Sequence, residues 1–374
     1  MNPFFLTPQT PNDFFCDRKQ ETEDIVRYLE NGSNIALISP RRYGKTGLIY
    51  HIFDALTAKN APVELYYLDI YSSRSVDDFI ALLTESIFQT LKKESLIKKF
   101  LKALGGIRPM FSADPLTGAP QISFTFQSDN QRRYSLKALL DYLDNRPTKV
   151  ILAIDEFQQV REYDGISMEA LLRTYIQPLK NVQFIFSGSK RHLIAEMFTA
   201  EHSPFYESAA IYPIDKIDRE VYADFIVSQF KAQKKSIAPE AVDFILDWTR
   251  CHTFYTQFLC NRVFQSVKKE VSLVDVLMAA DTILKENADT FLERRNLLTA
   301  KQWNFLCAVA KEGEVSEPTN ASFLQKYQLG GPSTAARLLS ALLDKEMLLE
   351  RKSPTVSTYC VYNVFFSRWL ERLT

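Results

Sequence analysis

The sequence contains few of the residues that build metal centres or disulfide frameworks. Its 374 residues include five cysteines and four histidines, and neither type is spaced as metal ligands are. Scattered cysteines are typical of a reducing compartment. Residues 1–13 lack the basic segment and apolar core of a secretion signal, and no apolar run approaches the length of about 20 residues that spans a membrane. We therefore expect a cytoplasmic protein that does not bind membranes.

The sequence also lacks net charge. Lysine and arginine together number 45, and so do aspartate and glutamate. A neutral chain has no strong overall attraction to nucleic acid, although this does not exclude a local basic face. With 46% hydrophobic residues, the chain can bury a large core, and its length predicts two or three domains.

A loop with the pattern of a phosphate-binding Walker A motif follows an apolar, strand-like run at residues 35–38 and precedes apolar residues with helical spacing. The predicted nucleotide-binding set is Ser39, Pro40, Arg41, Arg42, Tyr43, Gly44, Lys45, Thr46 and Gly47. Between a strand and a helix, backbone N–H groups and the helix N-terminus hold phosphates. Lys45 would reach the outer phosphates, and the hydroxyl of Thr46 would bind Mg²⁺. The alternative is a lysine-containing loop that only mimics the motif. Ser39 replaces the usual glycine, which the turn tolerates where φ is negative.

A second apolar run, at residues 149–154, ends in Asp155 and Glu156. A continuous apolar run is typical of a strand buried on both faces of a parallel sheet, and ligands bind at the carboxyl ends of such strands. This is the Walker B arrangement, about 110 residues after Walker A. Asp155 would hold Mg²⁺, and Glu156 would polarise the attacking water. The alternative is a solvated strand end with two acids that have no catalytic role.

Strand-like runs alternate with amphipathic helices over the first part of the chain. The runs lie at residues 35–38, 63–70, 149–154, 182–186 and 209–213. This alternation predicts an α/β fold with a parallel sheet covered on both faces, over residues 1–214. Residues 105–127 interrupt it with a predicted β-hairpin insertion, whose turn would be residues 114–118.

The rest of the chain has a different pattern. Residues 215–296 read as helices only and are predicted to form a lid domain. Residues 297–374 have the order helix, helix, helix, hairpin, which predicts a winged helix-turn-helix domain. Its third helix, residues 333–344, is expected to bury Ala336, Leu338, Leu339 and Leu342.

Five motifs together resemble the archaeal-type ATPases, which are P-loop proteins related to AAA-like and signal-transducing ATPases. They are Phe15-Cys16-Asp17-Arg18 with Glu21, Pro40-Arg41-Arg42-Tyr43-Gly44-Lys45-Thr46, Ile154-Asp155-Glu156-Phe157-Gln158, Phe186-Ser187-Gly188-Ser189, and Ser203-Pro204-Phe205-Tyr206. The resemblance implies a three-layer α/β fold of the ASCE type of P-loop NTPases. In its parallel sheet, the strand ending at Ser187 lies between the two Walker strands. It also implies ATP as the nucleotide, a helical lid and a C-terminal winged helix.

The chain departs from this family in the lid. Residues 251–255, Cys-His-Thr-Phe-Tyr, align with what looks like a Gly-His-Pro-aromatic motif, but the glycine and proline are absent. A nucleotide contact from His252 is therefore weakly supported, and a structural histidine on a helix is the favoured interpretation.

For several other polar residues, the sequence allows two interpretations, a role at the nucleotide or an ordinary structural role. Ser187 or Ser189 would sense the γ-phosphate or cap a strand end. Arg173 or Arg191 would act as an arginine finger across a subunit interface, which requires a homo-oligomer, or would form a surface ion pair. Arg18 and Phe15 would line the side that binds the base, and for Phe15 the alternative is simple packing in the core.

A winged helix is typical of DNA-binding proteins, but the charge of the predicted domain does not favour a DNA partner over a protein partner. From Leu297 onward the sequence has nine basic and seven acidic side chains, and its presumed recognition helix carries only Arg337. DNA-binding modules usually present a clear basic face. Two functions therefore remain open. One is a Mg²⁺-dependent ATPase that couples ATP binding and hydrolysis to a conformational change. The other is a nucleotide-gated switch, or a DNA- or protein-binding regulatory module, with negligible turnover.

Overall fold

The computed structural model describes residues 1–59, 62–91, 94–103, 110–113, 120–124, 126–165, 167–267, 269–352 and 356–373. The chain forms two compact units. The first unit is Thr7–Lys216, and the second unit is Met1–Leu6 together with Ile217–Thr374. The predicted domain boundaries at residues 214 and 296 stay predictions.

The first unit alternates strands with helices. Its strands are β1 (Ile35–Ile38), β2 (Val63–Asp69), β3 (Met110–Ala113), β4 (Pro120–Ser123), β5 (Lys149–Asp155), β6 (Val182–Gly188) and β7 (Ala210–Pro213). Its helices are α1 (Lys19–Glu30), α2 (Lys45–Ala58), α3 (Val76–Thr90), α4 (Glu94–Ala103), α5 (Asp129–Asp144), α6 (Met168–Ile176) and α7 (Arg191–Thr199).

Five of these strands form one parallel sheet in the order β2-β5-β6-β1-β7. Strand β6 lies between β1 and β5, which confirms the predicted position of the strand that ends near Ser187. Parallel strands point the same way, so the ends of β1, β5 and β6 meet at one edge. The α/β fold of the P-loop type is therefore confirmed, and that edge carries the predicted site.

Alternate side chains of β5 enter two separate cores on the two faces of the sheet. Leu152 and Ile154 pack with helices α3 to α7. Ile151 and Ala153 pack with α1 and α2 on the opposite face. Because side chains of a strand alternate between faces, a strand covered on both sides must be apolar throughout.

The predicted insertion contains an antiparallel pair. Strand β3 pairs with β4, with Met110 opposite Ser123 and Ala113 opposite Pro120. The turn predicted at residues 114–118 lies outside the described residues.

The second unit is mainly helical. Its helices are α8 (Arg219–Ala232), α9 (Pro239–Thr249), α10 (Thr253–Ser266), α11 (Leu273–Glu286), α12 (Ala288–Asn296), α13 (Ala300–Glu312), α14 (Ala321–Lys326), α15 (Pro332–Asp344) and α16 (Val364–Leu370). Its strands are β8 (Ser236–Ile237), β9 (Glu270–Val271), β10 (Leu348–Lys352) and β11 (Ser357–Val361).

Helices α13, α14 and α15, followed by the antiparallel pair β10–β11, have the predicted order of a winged helix. The predicted buried face of α15 was wrong at one position. Ala335 is fully buried, whereas Ala336 is exposed. One residue turns a helix by about 100°, and here that turn carries Ala336 out of the face that Ala335 buries.

Residues 1–6 complete the core of the second unit. Phe4 is almost fully buried, and its ring lies 5.2 Å from that of Phe230 and 6.1 Å from that of Phe264, between centroids. The side-chain amide of Asn261 donates to the carbonyl of Phe4 at 2.6 Å. These six residues therefore contribute both an aromatic side chain and a backbone acceptor to helices that begin more than 200 residues later.

Among the residues described, the helices are too short or too polar to cross a lipid bilayer.

Candidate nucleotide-binding site

The predicted phosphate loop connects β1 to α2. Strand β1 ends at Ile38 and α2 begins at Lys45, which confirms the strand–loop–helix context. Gly44 has φ of +90°, a conformation that glycine adopts without strain. Ser39 is not among the residues with positive φ, so a serine fits there without strain.

The side chain of Lys45 lies within this loop and is 6% exposed. Its ammonium donates to the carbonyls of Ser39 and Pro40 at 3.1 and 3.2 Å and lies 3.3 Å from the Ser39 hydroxyl. Burial lowers the pKa of Lys45, while the carboxylates of Asp155 and Glu156 act in the opposite direction. Among the described residues, the oxygens that hold this buried cation are neutral, and a phosphate would supply a directly bonded counter-charge.

The first residues of α2 meet the end of β5 through one hydrogen bond. The hydroxyl of Thr46 donates to Asp155 Oδ2 at 2.7 Å. The hydroxyl of Tyr67, on the neighbouring strand β2, donates to the same oxygen at 3.0 Å. Mg²⁺ binds carboxylate and hydroxyl oxygens, usually one or two from the protein with phosphates and waters. The converging oxygens of Thr46 and Asp155 therefore fit that ion.

Glu156 accepts hydrogen bonds from two side chains. The hydroxyl of Ser189 donates to Glu156 Oε2 at 2.7 Å, and its backbone N–H lies 3.3 Å from the same oxygen. The amide nitrogen of Gln158 donates to that oxygen at 2.5 Å. The carboxylate is thereby fixed between the ends of β5 and β6.

The backbone at Glu156 is in the left-handed region, with φ of +57°. Such a conformation is costly for a residue with a side chain and often marks a functional position. A cluster of buried aromatic rings begins at the next residue and holds this turn in place. Its members are Phe157, Phe186, Phe198 and Phe205, with centroids 4.5 to 6.2 Å apart.

Gln158 fills the space beside Gly188. The side chain of Gln158 is 4% exposed, and a Cβ atom added at Gly188 would stand 2.1 Å from Gln158 Oε1. A larger residue at position 188 would therefore displace the end of the Gln158 side chain, although the backbone conformation of Gly188 is ordinary. Both residues belong to motifs visible in the sequence, but the motifs do not predict this contact.

Arg41 is the loop arginine that contacts the end of β6. Its Nε donates to the hydroxyl of Ser189 at 3.1 Å. Arg42 is exposed and has φ of +67°, and Tyr43 is buried.

Sequence reasoning missed two residues of β2. Tyr67 contacts Asp155, as described, and Asp69 lies opposite Asp155 in the β2–β5 register. Desolvation raises the pKa of Asp69, and the charges of Asp155 and Glu156 also raise it. Asp69 could have been found from the sequence, because it is an acid at the end of a predicted strand and all the parallel strands end at this edge.

The two residues predicted to lie near the nucleotide base, Arg18 and Phe15, both contact other residues of the first unit. The Arg18 guanidinium is 5% exposed, pairs with Glu21 at 2.5 Å and donates to the carbonyl of Asp215 at 2.5 Å. The ring of Phe15 stacks on that of His51 at 4.4 Å, and it lies 3.3 Å from the position of a Cβ atom on Gly47. Their roles toward a nucleotide stay predictions.

The remaining predicted residues of the first unit occupy three places. Ser187 is fully buried at the end of β6, and its hydroxyl has no hydrogen-bond partner among the described residues. Arg173 on α6 donates through Nε to the carbonyl of Pro204 at 3.1 Å. Arg191 is exposed at the start of α7. A finger role for either arginine stays a prediction.

His252 belongs to the second unit. It is buried at the N-cap of α10, and its ring lies 4.5 Å from that of Tyr255. It thus precedes the helix on which it was expected to lie.

Two family models match the chain. A model of ATPase domains predominantly from Archaea matches residues 15–251. A model described as a probable winged helix domain matches residues 289–372. No curated protein matches the chain significantly.

Solved structures of similar fold cover nearly the whole chain. A Walker-type ATPase of Pyrococcus abyssi has 17% identity and a TM-score of 0.66, over 98% of this chain and 99% of that one. The ORC2 protein of Aeropyrum pernix, solved as ADPNP–ADP complexes, has 12% identity and a TM-score of 0.56, over 95% and 94%. The ORC1 protein of Aeropyrum pernix, in complex with DNA, has 12% identity and a TM-score of 0.53, over 99% and 96%. At such identities these likenesses show the fold alone.

The phosphate loop, the acids at the end of β5, the strand order and the match over residues 15–251 agree, and the chain belongs to the family of ATPase domains found predominantly in Archaea.

Proposed function

We propose that the chain hydrolyses ATP with Mg²⁺ at the edge formed by β1, β5 and β6. The observation that carries this proposal is the convergence of Thr46, Asp155 and Glu156 beside the buried ammonium of Lys45. A cation, a hydroxyl and two carboxylates are the groups that phosphoryl transfer from a nucleotide requires.

Each side chain has one task in this proposal. Lys45 exchanges the carbonyls of Ser39 and Pro40 for oxygens of the outer phosphates. Thr46 and Asp155 hold Mg²⁺, which neutralises phosphate charge when bound. Glu156 orients a water molecule and accepts its proton as the water oxygen attacks the γ-phosphorus.

We also propose that the chemistry is coupled to a conformational change. Glu156 is bonded to Ser189 at the end of β6, and the aromatic cluster joins the residue after Glu156 to Phe186 on β6 and Phe198 on α7. A change in the hydrogen bonds of Glu156 would therefore shift these rings and, through them, α7. Tightly packed side chains switch between discrete arrangements and do not deform continuously.

Lys45→Ala tests the nucleotide site. We expect the variant to lose about 2 kcal/mol or more of ATP binding, roughly 30-fold in Kd, because a buried charge partner is removed. Lys59→Ala is the matched control, since Lys59 is half-exposed and pairs with Glu30 at 2.7 Å. Wild-type ATP affinity in Lys45→Ala, measured by calorimetry, would contradict the assignment.

A second candidate function is a nucleotide-gated module that acts on DNA or on a protein through the winged helix. The match over residues 289–372 favours it, and one protein of similar fold was solved with DNA. Turnover by the purified protein with and without duplex DNA separates the two candidates. Steady hydrolysis without DNA supports the first, and ATP-dependent DNA binding without turnover supports the second. Sedimentation of the same samples reports whether the chain forms a homo-oligomer.

A further inference from the structure

We propose that Arg41 is a catalytic arginine supplied in cis, whose guanidinium contacts the γ-phosphate of an ATP bound to the same chain. The inference rests on the proposed function, since it assigns a residue to the hydrolysis step. It replaces Arg173 and Arg191 as the source of an arginine finger, and it removes the need for a neighbouring subunit.

The position of Arg41 between the loop and the catalytic carboxylate carries the proposal. Arg41 Nε lies 3.1 Å from the hydroxyl of Ser189, and that hydroxyl lies 2.7 Å from Glu156 Oε2. Arg41 is thus connected by two successive hydrogen bonds to the Glu156 carboxylate, which would activate water. The attacked phosphorus must lie near that water, so the Arg41 guanidinium is at the γ-phosphate end of the loop.

The charges in the loop support this position. The cationic side chains of Arg41 and Lys45 are close enough for the charge of Arg41 to act on Lys45. Two cations of one loop are therefore close enough to repel each other. Bound phosphates would convert this repulsion into attraction for both side chains, and that is the arrangement expected of a site for a highly charged anion.

The other arginines are placed less suitably. Arg173 donates to the carbonyl of Pro204, in the loop that follows α7. Arg42, next to Arg41, is exposed, whereas Arg41 is half-buried. Arg27 on α1 is 67% exposed and pairs with Asp24, so Arg27→Ala is a control that removes the same charge outside the loop.

The proposed chemistry balances without an oxidant or reductant. A bond forms between the water oxygen and the γ-phosphorus, and the bond from this phosphorus to the oxygen shared with the β-phosphate breaks. The water proton goes to Glu156, and ADP leaves as inorganic phosphate forms. Charge on the γ-phosphate oxygens and on the bridging oxygen is stabilised by the guanidinium, which has donors beyond Nε.

The experiment compares Arg41→Ala, Arg41→Lys and Arg27→Ala with the parent, after thermal melting has shown that each is folded. An arginine finger is worth about 10³-fold or more in kcat, so single-turnover hydrolysis by Arg41→Ala should fall by about that factor. Arg41→Lys should recover part of the loss, and Arg27→Ala should keep the parent's rate, because Arg27 is exposed on α1 and lies outside the predicted nucleotide-binding set.

A binding measurement gives a readout that does not depend on turnover. Arg41→Ala should bind a non-hydrolysable ATP analogue at least about 10-fold more weakly than the parent, while its ADP affinity should change little, since ADP has no γ-phosphate. A parent that binds neither nucleotide would overturn the proposed function. A parent that hydrolyses ATP beside an equally fast Arg41→Ala would overturn only the role of Arg41.

Mixing inactive chains distinguishes cis from trans action. Arg41→Ala has an intact Lys45, and Lys45→Ala has an intact Arg41. If Arg41 acts in cis, an equimolar mixture stays inactive, and the parent's kcat does not change with protein concentration. Restored hydrolysis in the mixture would show that the arginine serves a neighbouring chain and would overturn the proposal.

Discussion

The hydroxyl of Ser189 donates a hydrogen bond of 2.7 Å to Glu156 Oε2 and so joins the end of β6 to the end of β5. The amide of Gln158 donates to the same oxygen. Because both donors are directed at Oε2, we expect Oε1 to be the oxygen that takes a proton from water. Ser189, one of two serines considered either as a sensor of the γ-phosphate or as a strand-end cap, is therefore proposed to position the candidate base.

Replacing Glu156 by glutamine should separate binding from chemistry. The amide keeps the shape of the side chain but cannot take a proton, so single-turnover hydrolysis should fall by roughly 10²–10⁴-fold. ATP affinity should persist, since Lys45, Thr46 and Asp155 are unchanged. Glu162→Gln is the control, because Glu162 is about half-exposed and lies 3.6 Å from Lys190. Equal rates in parent and Glu156→Gln would exclude Glu156 as the base.

Gly188→Ala should disturb the site through Gln158. The added methyl group would stand 2.1 Å from Gln158 Oε1, so the amide must move and release Glu156. We expect a lower kcat with little loss of stability, because the end of a side chain can shift. Gln158→Ala should lower kcat to a similar degree, and the double variant should be no worse than either single one. Additive losses in kcat would show that the two residues act independently.

Thr46 should determine the affinity for Mg²⁺. Removing Mg²⁺ with EDTA is expected to stop hydrolysis. Thr46→Val keeps the size of the side chain but removes its oxygen, whereas Thr46→Ser keeps the hydroxyl. Even losing an outer partner of a metal ligand costs 10–100-fold in affinity, so Thr46→Val should need at least about 10-fold more Mg²⁺ for half-maximal rate. A Mg²⁺ titration in which the valine and serine variants coincide would contradict this role.

Glu64 should contribute stability that depends on pH. Burial alone would raise the pKa of Glu64, but hydrogen bonds from Arg146, Tyr66 and Thr148 outweigh it and lower the pKa. A depressed pKa means that the stabilisation is present above the unfolded value of about 4.3 and is lost as pH falls through the folded value.

Glu64→Gln should therefore cost about 1 kcal/mol at pH 7, since the carboxylate is partly exposed, and less at pH 3.5, which is below the unfolded value of about 4.3. Urea unfolding followed by circular dichroism at both pH values measures this difference. Asp141→Asn provides the control, because the pair of Asp141 with Lys137 is about half-exposed. A cost that is the same at pH 7 and pH 3.5 would show that the charge of Glu64 is not involved.

Local sequence patterns were sufficient to predict the elements that carry the site. The loop at residues 39–46 and the acids at the end of β5 depend on short-range rules, and the apolar runs identified the strands. The position of β6 between β1 and β5 followed from the family resemblance, because periodicity does not determine strand order.

Contacts between distant residues were not predictable in this way. Arg41 and Ser189 are 148 residues apart, and Tyr67 and Asp155 are 88 apart. Such pairs depend on strand order and register, which sequence patterns alone do not determine. The crowding of Gln158 against Gly188 depends on where a turn with positive φ directs a side chain, and no spacing rule encodes it.

The packing of Phe4 has a consequence for folding during synthesis. Residues 1–6 leave the ribosome before Phe230 and Phe264, whose rings pack against Phe4. At 5–20 residues per second, the interval between Phe4 and Phe264 is roughly 10 to 50 seconds. During translation the first unit can finish folding while this apolar segment still lacks its partners. Chaperones that bind exposed apolar segments therefore have a period in which the beginning of this chain is available to them.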